Sequence, residues 1–272
     1  MKYLGGKQRL GRHIAPILQC IWESDHELNG YLEPFCGSLG VFKHMTELKH
    51  CKTMVANDYH PDLIALWKAV QEDTFTFPNS ISEKQYEKAK LLTSPNPMKA
   101  FVGFGMSFGG RFFGAYANKY LGDKNEDFCK EMVNSLKRIA PLIQKNKVKF
   151  INKSYKSLRP NKKLIYCDPP YAQSNHPIRY RTDTKHYDIF DNEAFWEIMR
   201  KWSKTNIVII SETTAPDDFV EIWSMDMYRS AAQSSKTRFK NKNTSLYQNE
   251  RLYAHSRYAK KIIHWLQTNI VV

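Results

Sequence analysis

The sequence predicts an α/β fold in which a doubly wound, mainly parallel sheet is built from two chain segments, 1–70 and 148–272, on either side of a mainly helical insertion, 71–147. Two observations predict it. Short apolar runs (Tyr31 to Phe35, Thr53 to Ala56, Leu164 to Cys167, Ile207 to Ile210) alternate with longer stretches whose apolar residues recur at helical spacing. Between 71 and 147 that alternation stops, leaving helical patterns and a stretch dense in glycine and aromatic residues. A chain of 272 residues with 42 % hydrophobic content can form one packed domain carrying an insertion.

Taken in order, Leu10, Ile14, Ile17, Leu18 and Ile21 predict an amphipathic helix from Lys7 to about Trp22, after a tight turn at Gly5 and Gly6 that leaves Lys7 at the helix mouth. The strand Tyr31 to Phe35 gives way to small residues and a helix from about Leu39. Such a turn lets backbone N–H groups approach a ligand at a helix N-terminus, although any βα loop carries glycines. The strand Thr53 to Ala56 ends at Asn57 and Asp58, and Pro61 opens a helix. The separation of Glu33 and Asp58 is that of a mononucleotide-binding βαβ unit, so Asp58 reads either as acceptor for a ribose hydroxyl pair or as a helix cap.

Within the insertion, Ser80 and Glu83 form a capping-box pattern for a helix reaching Leu92, and Phe128, Met132, Leu136, Ile139 and Ile143 mark another. The intervening stretch, Lys99 to Tyr120, is too bulky for a linker and too glycine-rich for a regular helix, which predicts an irregular, structured loop. Its aromatics suit core packing, and Arg111 suits contact with a phosphate or a base edge. The α/β pattern resumes with a strand at Val148 to Asn152. Asp191 caps a helix bearing Phe195, Ile198, Met199 and Trp202, Ala215 to Phe219 starts a short helix, and strands near Glu221 to Ser224 and Arg251 to Ala254 close the sheet as a hairpin edge.

The strand Leu164 to Cys167 stops abruptly at Asp168, because Pro169 and Pro170 each remove a ladder donor and fix φ. In open α/β sheets ligands bind beyond the carboxyl ends of the strands, which places Asp168 and Tyr171 where chemistry is done. A plain strand-ending turn with a capping acid is the alternative.

The 41 basic and 27 acidic residues give a net charge of +14, which favours a polyanionic partner. From Arg229 to Lys261 the bases, among them Lys236, Arg238, Lys240 and Lys242, face a single acid, Glu250, and Tyr228, Phe239, Tyr247 and Tyr253 are interleaved. This run reads as a solvated charged face or as a nucleic-acid groove, where phosphates meet cations and bases meet aromatic rings. No apolar run is long enough to span a bilayer, and the N-terminal residues lack the apolar core of a signal peptide. The five cysteines form no CxxC pair, so neither a disulfide framework nor a zinc site is indicated. The expectation is a cytoplasmic protein with no metal and no membrane partner.

Four motifs in order, YLGGK (Tyr3 to Lys7), EPFCGSLGVF (Glu33 to Phe42), ANDYHPDLI (Ala56 to Ile64) and IYCDPPY (Ile165 to Tyr171), resemble those of the Dam-type family of DNA adenine methyltransferases. SFGGRFFGAYA and the stretch from APDDF to ERLYAH resemble the variant of many phage and prophage members. The resemblance implies a Rossmann-like methyltransferase sheet, an inserted target-recognition subdomain, and methyl transfer from S-adenosylmethionine to the exocyclic amine of adenine in double-stranded DNA, with S-adenosylhomocysteine as product. It implies that the Asp168 carboxylate and the Pro169 carbonyl accept the amine hydrogens of a base flipped out of the duplex, and that Tyr171 stacks on it. Tyr3, Lys7, Glu33, Phe35, Gly37, Asp58 and Asp168 are the implied cofactor contacts. Arg111, Arg179, Arg181, Lys236, Arg238, Lys240 and Lys242 are the implied DNA contacts. Lys7 pairs either with the cofactor carboxylate or near Asp168, and the loop bearing His176, Arg179 and Arg181 either folds over the nucleotide or stays solvated. Association with the nucleoid and a cognate restriction endonuclease are compatible with the resemblance, and the number of copies on DNA is not set by it. Three positions depart from the family pattern: Ser38 and Leu39 stand where glycines are frequent, and Ser154 where an acid is frequent.

Overall fold

The computed structural model describes residues 1–117, 127–170, 180–181, 187–188, 190–228 and 247–269. The elements in chain order are α1 (Gly11–Ser24), β1 (Gly30–Glu33), α2 (Phe42–Met45), β2 (Thr53–Asn57), α3 (Pro61–Gln71), α4 (Glu83–Lys90), α5 (Pro97–Gly105) and α6 (Phe128–Lys145). They continue as β3 (Lys149–Ile151), β4 (Lys163–Cys167), the two-residue strands β5 (Tyr180–Arg181) and β6 (Tyr187–Asp188), α7 (Asn192–Trp202), β7 (Ile207–Ser211), β8 (Phe219–Tyr228), β9 (Tyr247–His255) and α8 (Ser256–Asn269).

Seven strands form one sheet in the order β3-β2-β1-β4-β7-β9-β8. All neighbours from β3 to β7 are parallel, and β9 runs antiparallel to both β7 and β8. The chain order reverses direction between β1 and β4, so the crevice at their carboxyl ends is the switch point of the sheet. Both faces are covered, which explains the near-continuous apolar runs. Tyr31, Leu164, Tyr166, Ile207 and Ile209 point into the larger core cluster with α1, α3, α5, α6 and α8. Leu32, Ile165, Cys167, Val208 and Ile210 point into the smaller one with α7 and Tyr155. Phe101 of α5 and Met132, Leu136 and Ile139 of α6 belong to the same large cluster as the helices flanking the sheet. No helix among the described residues is long and apolar enough to cross a membrane.

Several expectations are corrected. The first helix begins at Gly11, not Lys7, and residues before it form turns; a Cβ on Gly11 would lie 2.2 Å from the Gly40 carbonyl oxygen, so the chain passes the glycine-containing loop too closely for any other residue. The capping box is formed by Ser82 and Gln85, two positions later than Ser80 and Glu83, and its helix stops at Lys90. The glycine-aromatic stretch is helical as far as Gly105, after Asn96 caps and Pro97 opens α5. Gly103 and Gly105 are tolerated there because a Cβ would meet the Phe112 ring at 2.4 Å and Met132 Cγ at 2.8 Å. The bulky aromatics expected in a loop are what require the glycines in the helix. No helix follows Ala215: Phe219 already starts β8, and Asp218 is held by Arg200 through contacts of 2.6 and 2.9 Å. The C-terminal helix α8, with Ala259, Ile262 and Leu266 buried, was legible as an i, i+3, i+7 pattern but not anticipated.

One side chain ties the carboxyl ends of three strands. Asn57, fully buried at the end of β2, donates to the carbonyls of Pro34 (2.9 Å) and Lys153 (3.0 Å) and accepts from the Lys153 N–H (3.1 Å). Replacement by alanine removes all three bonds, the buried one to Pro34 and the two partly buried ones to Lys153, so Asn57→Ala is expected to lower the unfolding free energy by roughly 1–3 kcal/mol with the denaturant m-value unchanged. A loss below about 0.5 kcal/mol in urea unfolding contradicts the assignment of this tie.

Candidate active site

The switch-point crevice gathers charge from five parts of the chain. Glu33 ends β1, Asp168 follows β4, Glu212 follows β7, and Lys7 arrives on the N-terminal turns. Because β9 is antiparallel, its N-terminal half projects beyond the carboxyl ends of β4 and β7 and delivers Glu250. Lys7 Nζ lies 3.0 and 3.1 Å from the two oxygens of Glu250 and 3.3 Å from Asp168 Oδ1. Lys7 is 9 % exposed, Glu250 3 % and Asp168 19 %.

Burial and neighbours set the protonation of this group. Burial lifts Asp168 from the ordinary carboxylate range to about 7; the Lys7 ammonium opposes that, and Glu250 and Glu212 add to it. Burial also lifts Glu33 well above its usual value, against the Tyr31 hydroxyl that donates to it at 2.6 Å and with a further push from Asp168. For Lys7 burial disfavours the charge, but Asp168 and Glu250 outweigh it and raise its pKa. The cluster thus holds an ammonium whose charge is favoured, one carboxyl group that titrates near neutrality, and three further acids, Glu33, Glu212 and Glu250. Such a site can accept hydrogen bonds and tolerate an added positive charge.

The loop after β1 adjoins it. Gly37 adopts φ +45°, and a Cβ there would sit 3.1 Å from the Tyr3 ring. The Gly37 N–H donates to Asp58 Oδ2 (2.9 Å) and its carbonyl accepts from Trp67 Nε1 (3.0 Å). Asp58 Oδ1 accepts from the His60 N–H at 2.9 Å, so one carboxylate ties the glycine-containing loop to the entrance of α3. Burial raises Asp58 to about 6, opposed by the backbone donors of His60, Gly37 and Tyr59. Leu39, where relatives often have glycine, takes φ +57° all the same. That conformation costs about 1–2 kcal/mol. Full burial of the Leu39 side chain, worth about 2 kcal/mol, offsets it.

On the far side of Asp58 lies a cavity of about 350 Å³ bounded by Pro34, Phe35, Tyr155, Phe190 and, at its polar ends, Asp58, Ser154 and Asp191. The Phe35 ring is 5.1 Å from Tyr155 and 5.9 Å from Phe190. The Tyr155 hydroxyl is buried with no hydrogen-bond partner among the described residues. Aromatic walls, an unsatisfied buried hydroxyl and a carboxylate at one end fit a nucleoside. Ser154 lines this cavity, as does Asp191, whose carboxylate accepts from the Ala194 N–H at 3.0 Å and faces Lys156 Nζ at 3.6 Å.

Of the residues expected from sequence, the structure brings Lys7, Glu33 and Asp168 into one cluster, and Tyr3, Gly37, Asp58 and Phe35 around the adjoining loop and cavity. Pro169 is buried beside Asp168. Arg111 is exposed on a loop whose Gly110 carbonyl accepts from the Leu4 N–H at 3.2 Å, which ties it to the YLGGK segment. Tyr171, His176, Arg179, Lys236, Arg238, Lys240 and Lys242 lie outside the described residues, and of Arg181 only the backbone of β5 is described. Glu250, Glu212, Tyr155 and Phe190 were missed as site residues. For Glu250 the signal was available, as the lone acid in the basic run from 229 to 261.

No curated protein matches the chain closely enough to be named as a relative. A family model does match, over residues 3–102 and 110–253, and it is that of the D12 class N6 adenine-specific DNA methyltransferases. With nearly the whole chain matched, and with all four motifs inside the matched residues, the chain belongs to the D12 class N6 adenine-specific DNA methyltransferase family.

Proposed function

We propose that the chain transfers a methyl group from S-adenosylmethionine to the N6 amine of an adenine flipped out of duplex DNA, with Asp168 and the Pro169 carbonyl as amine acceptors. The observation that carries this reading is the position of Asp168: a carboxylate titrating near 7 at the carboxyl end of β4, held by Lys7 in the switch-point crevice.

The chemistry asks for such a group. The exocyclic amine of adenine delocalises its lone pair into the ring and is a poor nucleophile. Two acceptors aligned on its hydrogens draw it toward tetrahedral geometry and aim the lone pair out of the ring plane. Asp168 supplies one acceptor from its carboxylate and Pro169 the other from its backbone, and the two consecutive prolines keep both still. Asp168 can also take the proton that the amine sheds, because its pKa lies near neutrality rather than near 4. Bound S-adenosylmethionine supplies an electrophilic methyl on a sulfonium. Phe35, Tyr155 and Phe190 would hold its adenine, Asp58 its ribose, and Glu33 with the Gly37 loop its methionine part. Tyr171 would stack on the flipped base, contributing roughly 1–3 kcal/mol by analogy with single-strand stacking.

DNA contact is assigned to Arg111, Arg179, Arg181 and the run from Lys236 to Lys242, with the helices between 71 and 147 presenting the Arg111 loop as the target-recognition part. A duplex partner accounts for the charge of +14. The protein acts in the cytoplasm, on nucleoid or phage DNA.

Single-molecule sequencing of plasmid from cells expressing the chain tests the reading. The expected result is N6-methyladenine at one sequence context; methylated cytosine, or no modification from an enzyme that binds the cofactor, overturns it. Asp168→Ala is expected to lower kcat by at least about 100-fold while S-adenosylmethionine affinity stays within a few-fold, because the amine acceptor is lost whereas Lys7 keeps Glu250 and the other residues assigned to the cofactor are unchanged. Near-normal turnover of that variant removes Asp168 from the mechanism. The pH dependence follows from the raised pKa. The acceptor form of Asp168 is the ionised one, so kcat/KM should rise with pH through about 7. A raised carboxyl pKa means that the folded state binds the proton more tightly than the unfolded chain, so stability from this group is present below the unfolded value and is lost as pH rises through about 7. Asp168→Asn should therefore gain more in unfolding free energy over wild type at pH 8 than at pH 5, measured by denaturant titration; an equal difference at both pH values contradicts the shift.

A further inference from the structure

We propose that Glu250 is a positioning residue for methyl transfer, which anchors the Lys7 ammonium so that Asp168 keeps an acceptor oxygen for the substrate amine. The inference rests on the reading of Asp168 as that acceptor.

The geometry points to it in three ways. Lys7 sits closer to both oxygens of Glu250, at 3.0 and 3.1 Å, than to Asp168, at 3.3 Å, so its primary partner is Glu250. Glu250 is 3 % exposed and comes from a strand that no motif of the parallel half of the sheet includes, reaching the crevice only because β9 is antiparallel. A carboxylate buried so deeply is costly to maintain unless it is paired, and Lys7 is the cation that pairs it. The register of β9 against β8, which places Glu250 opposite Met225, and against β7, which places Leu252 opposite Ser211, fixes the height of the carboxylate above the strand ends.

Lys7 has to be held by something other than Asp168. At low local dielectric, an ammonium whose only carboxylate is Asp168 closes onto it and occupies the lone pairs that the amine needs. It also stabilises the ionised form, and the loss of the Glu250 charge acts in the same direction. Among the described residues the other titratable groups that act on Asp168 or respond to it are Glu33 of β1 with Tyr31 beside it, Glu212 after β7, and Tyr166 and Cys167 on its own strand, and none of them is altered by the substitution of Glu250. Neutralising Glu250 therefore has two consequences with one cause: a slower chemical step, and an Asp168 that ionises at lower pH. Loosened packing alone produces the first without the second.

The test compares wild type, Glu250→Gln, Glu250→Asp and Asp168→Ala on a duplex oligonucleotide carrying the methylated context, with cofactor affinity from calorimetry and stability from thermal unfolding. For Glu250→Gln the expected result is a kcat lower by about 10- to 100-fold, KM values for both substrates within about three-fold, and an acid limb of the kcat/KM profile displaced to lower pH. Glu250→Asp should recover part of kcat and move the limb back toward wild type. Glu250→Gln with kcat and acid limb unchanged overturns the proposal, and so does a lower kcat with an unmoved acid limb, which marks a structural role. The outcome for Asp168→Ala separates the two layers: retained turnover there defeats the acceptor reading itself, whereas an inactive Asp168→Ala beside an unaffected Glu250→Gln defeats only the role of Glu250.

Discussion

A single buried ammonium shared between two carboxylates organises the crevice. Lys7, Glu250 and Asp168 come from the N-terminal turns, the antiparallel strand β9 and the end of β4, so one interaction closes the sheet across residues 243 positions apart in sequence. Buried ion pairs are weak evidence for stability, since desolvation consumes most of the attraction. Their value here is positional. The Lys7 ammonium and the Glu250 carboxylate each lose a close opposite charge when the other is removed, and the pair thereby fixes where Lys7 meets Asp168. The same arrangement leaves Asp168 with a pKa near neutrality, which suits the proton-accepting role proposed for it.

The topology explains why this spot exists. Parallel strands bring their carboxyl ends to one edge, and the reversal between β1 and β4 opens a crevice there. Asn57 pins three of those ends together, Asp58 pins the Gly37 loop to α3, and the two prolines stop β4 where the acid is needed. The aromatic cavity of Phe35, Tyr155 and Phe190 lies on the smaller core's side of the sheet, reached through Pro34 and Phe35, which directly follow β1 and its Glu33. The family match over residues 3–102 and 110–253 then gives this geometry its reaction class, adenine methylation of DNA.

Much of this was legible in the sequence because local chemistry dictated it. Pro169 and Pro170 end β4 at the expected residue, Pro61 opens α3, and Asp191 caps α7 with its carboxylate accepting from the Ala194 N–H at 3.0 Å. The cap reading of Asp58 is corrected, since His60 is the N-cap of α3 and its ring accepts from the Leu63 N–H; Asp58 instead accepts from the His60 N–H and lines the cavity. The illegible parts depend on contacts distant in sequence. Nothing local announces that Gly103 and Gly105 sit in a helix, because the rings that need their missing Cβ atoms, and the Met132 side chain, come from later segments. Leu39 accepts a left-handed backbone that its residue type argues against, because its side chain gains burial by doing so. Glu250 pairs with a lysine at the other end of the chain, which periodicity cannot show, and its solitary negative charge in a basic stretch was the one available hint.

The central claim is that Asp168 is a carboxylate poised near neutrality by burial and by its share of Lys7. The most direct measurement is an NMR pH titration of the side-chain carboxyl carbon of Asp168, assigned by comparison with Asp168→Asn. The account predicts an inflection at about 7. An inflection in the ordinary aspartate range, near 4, contradicts it.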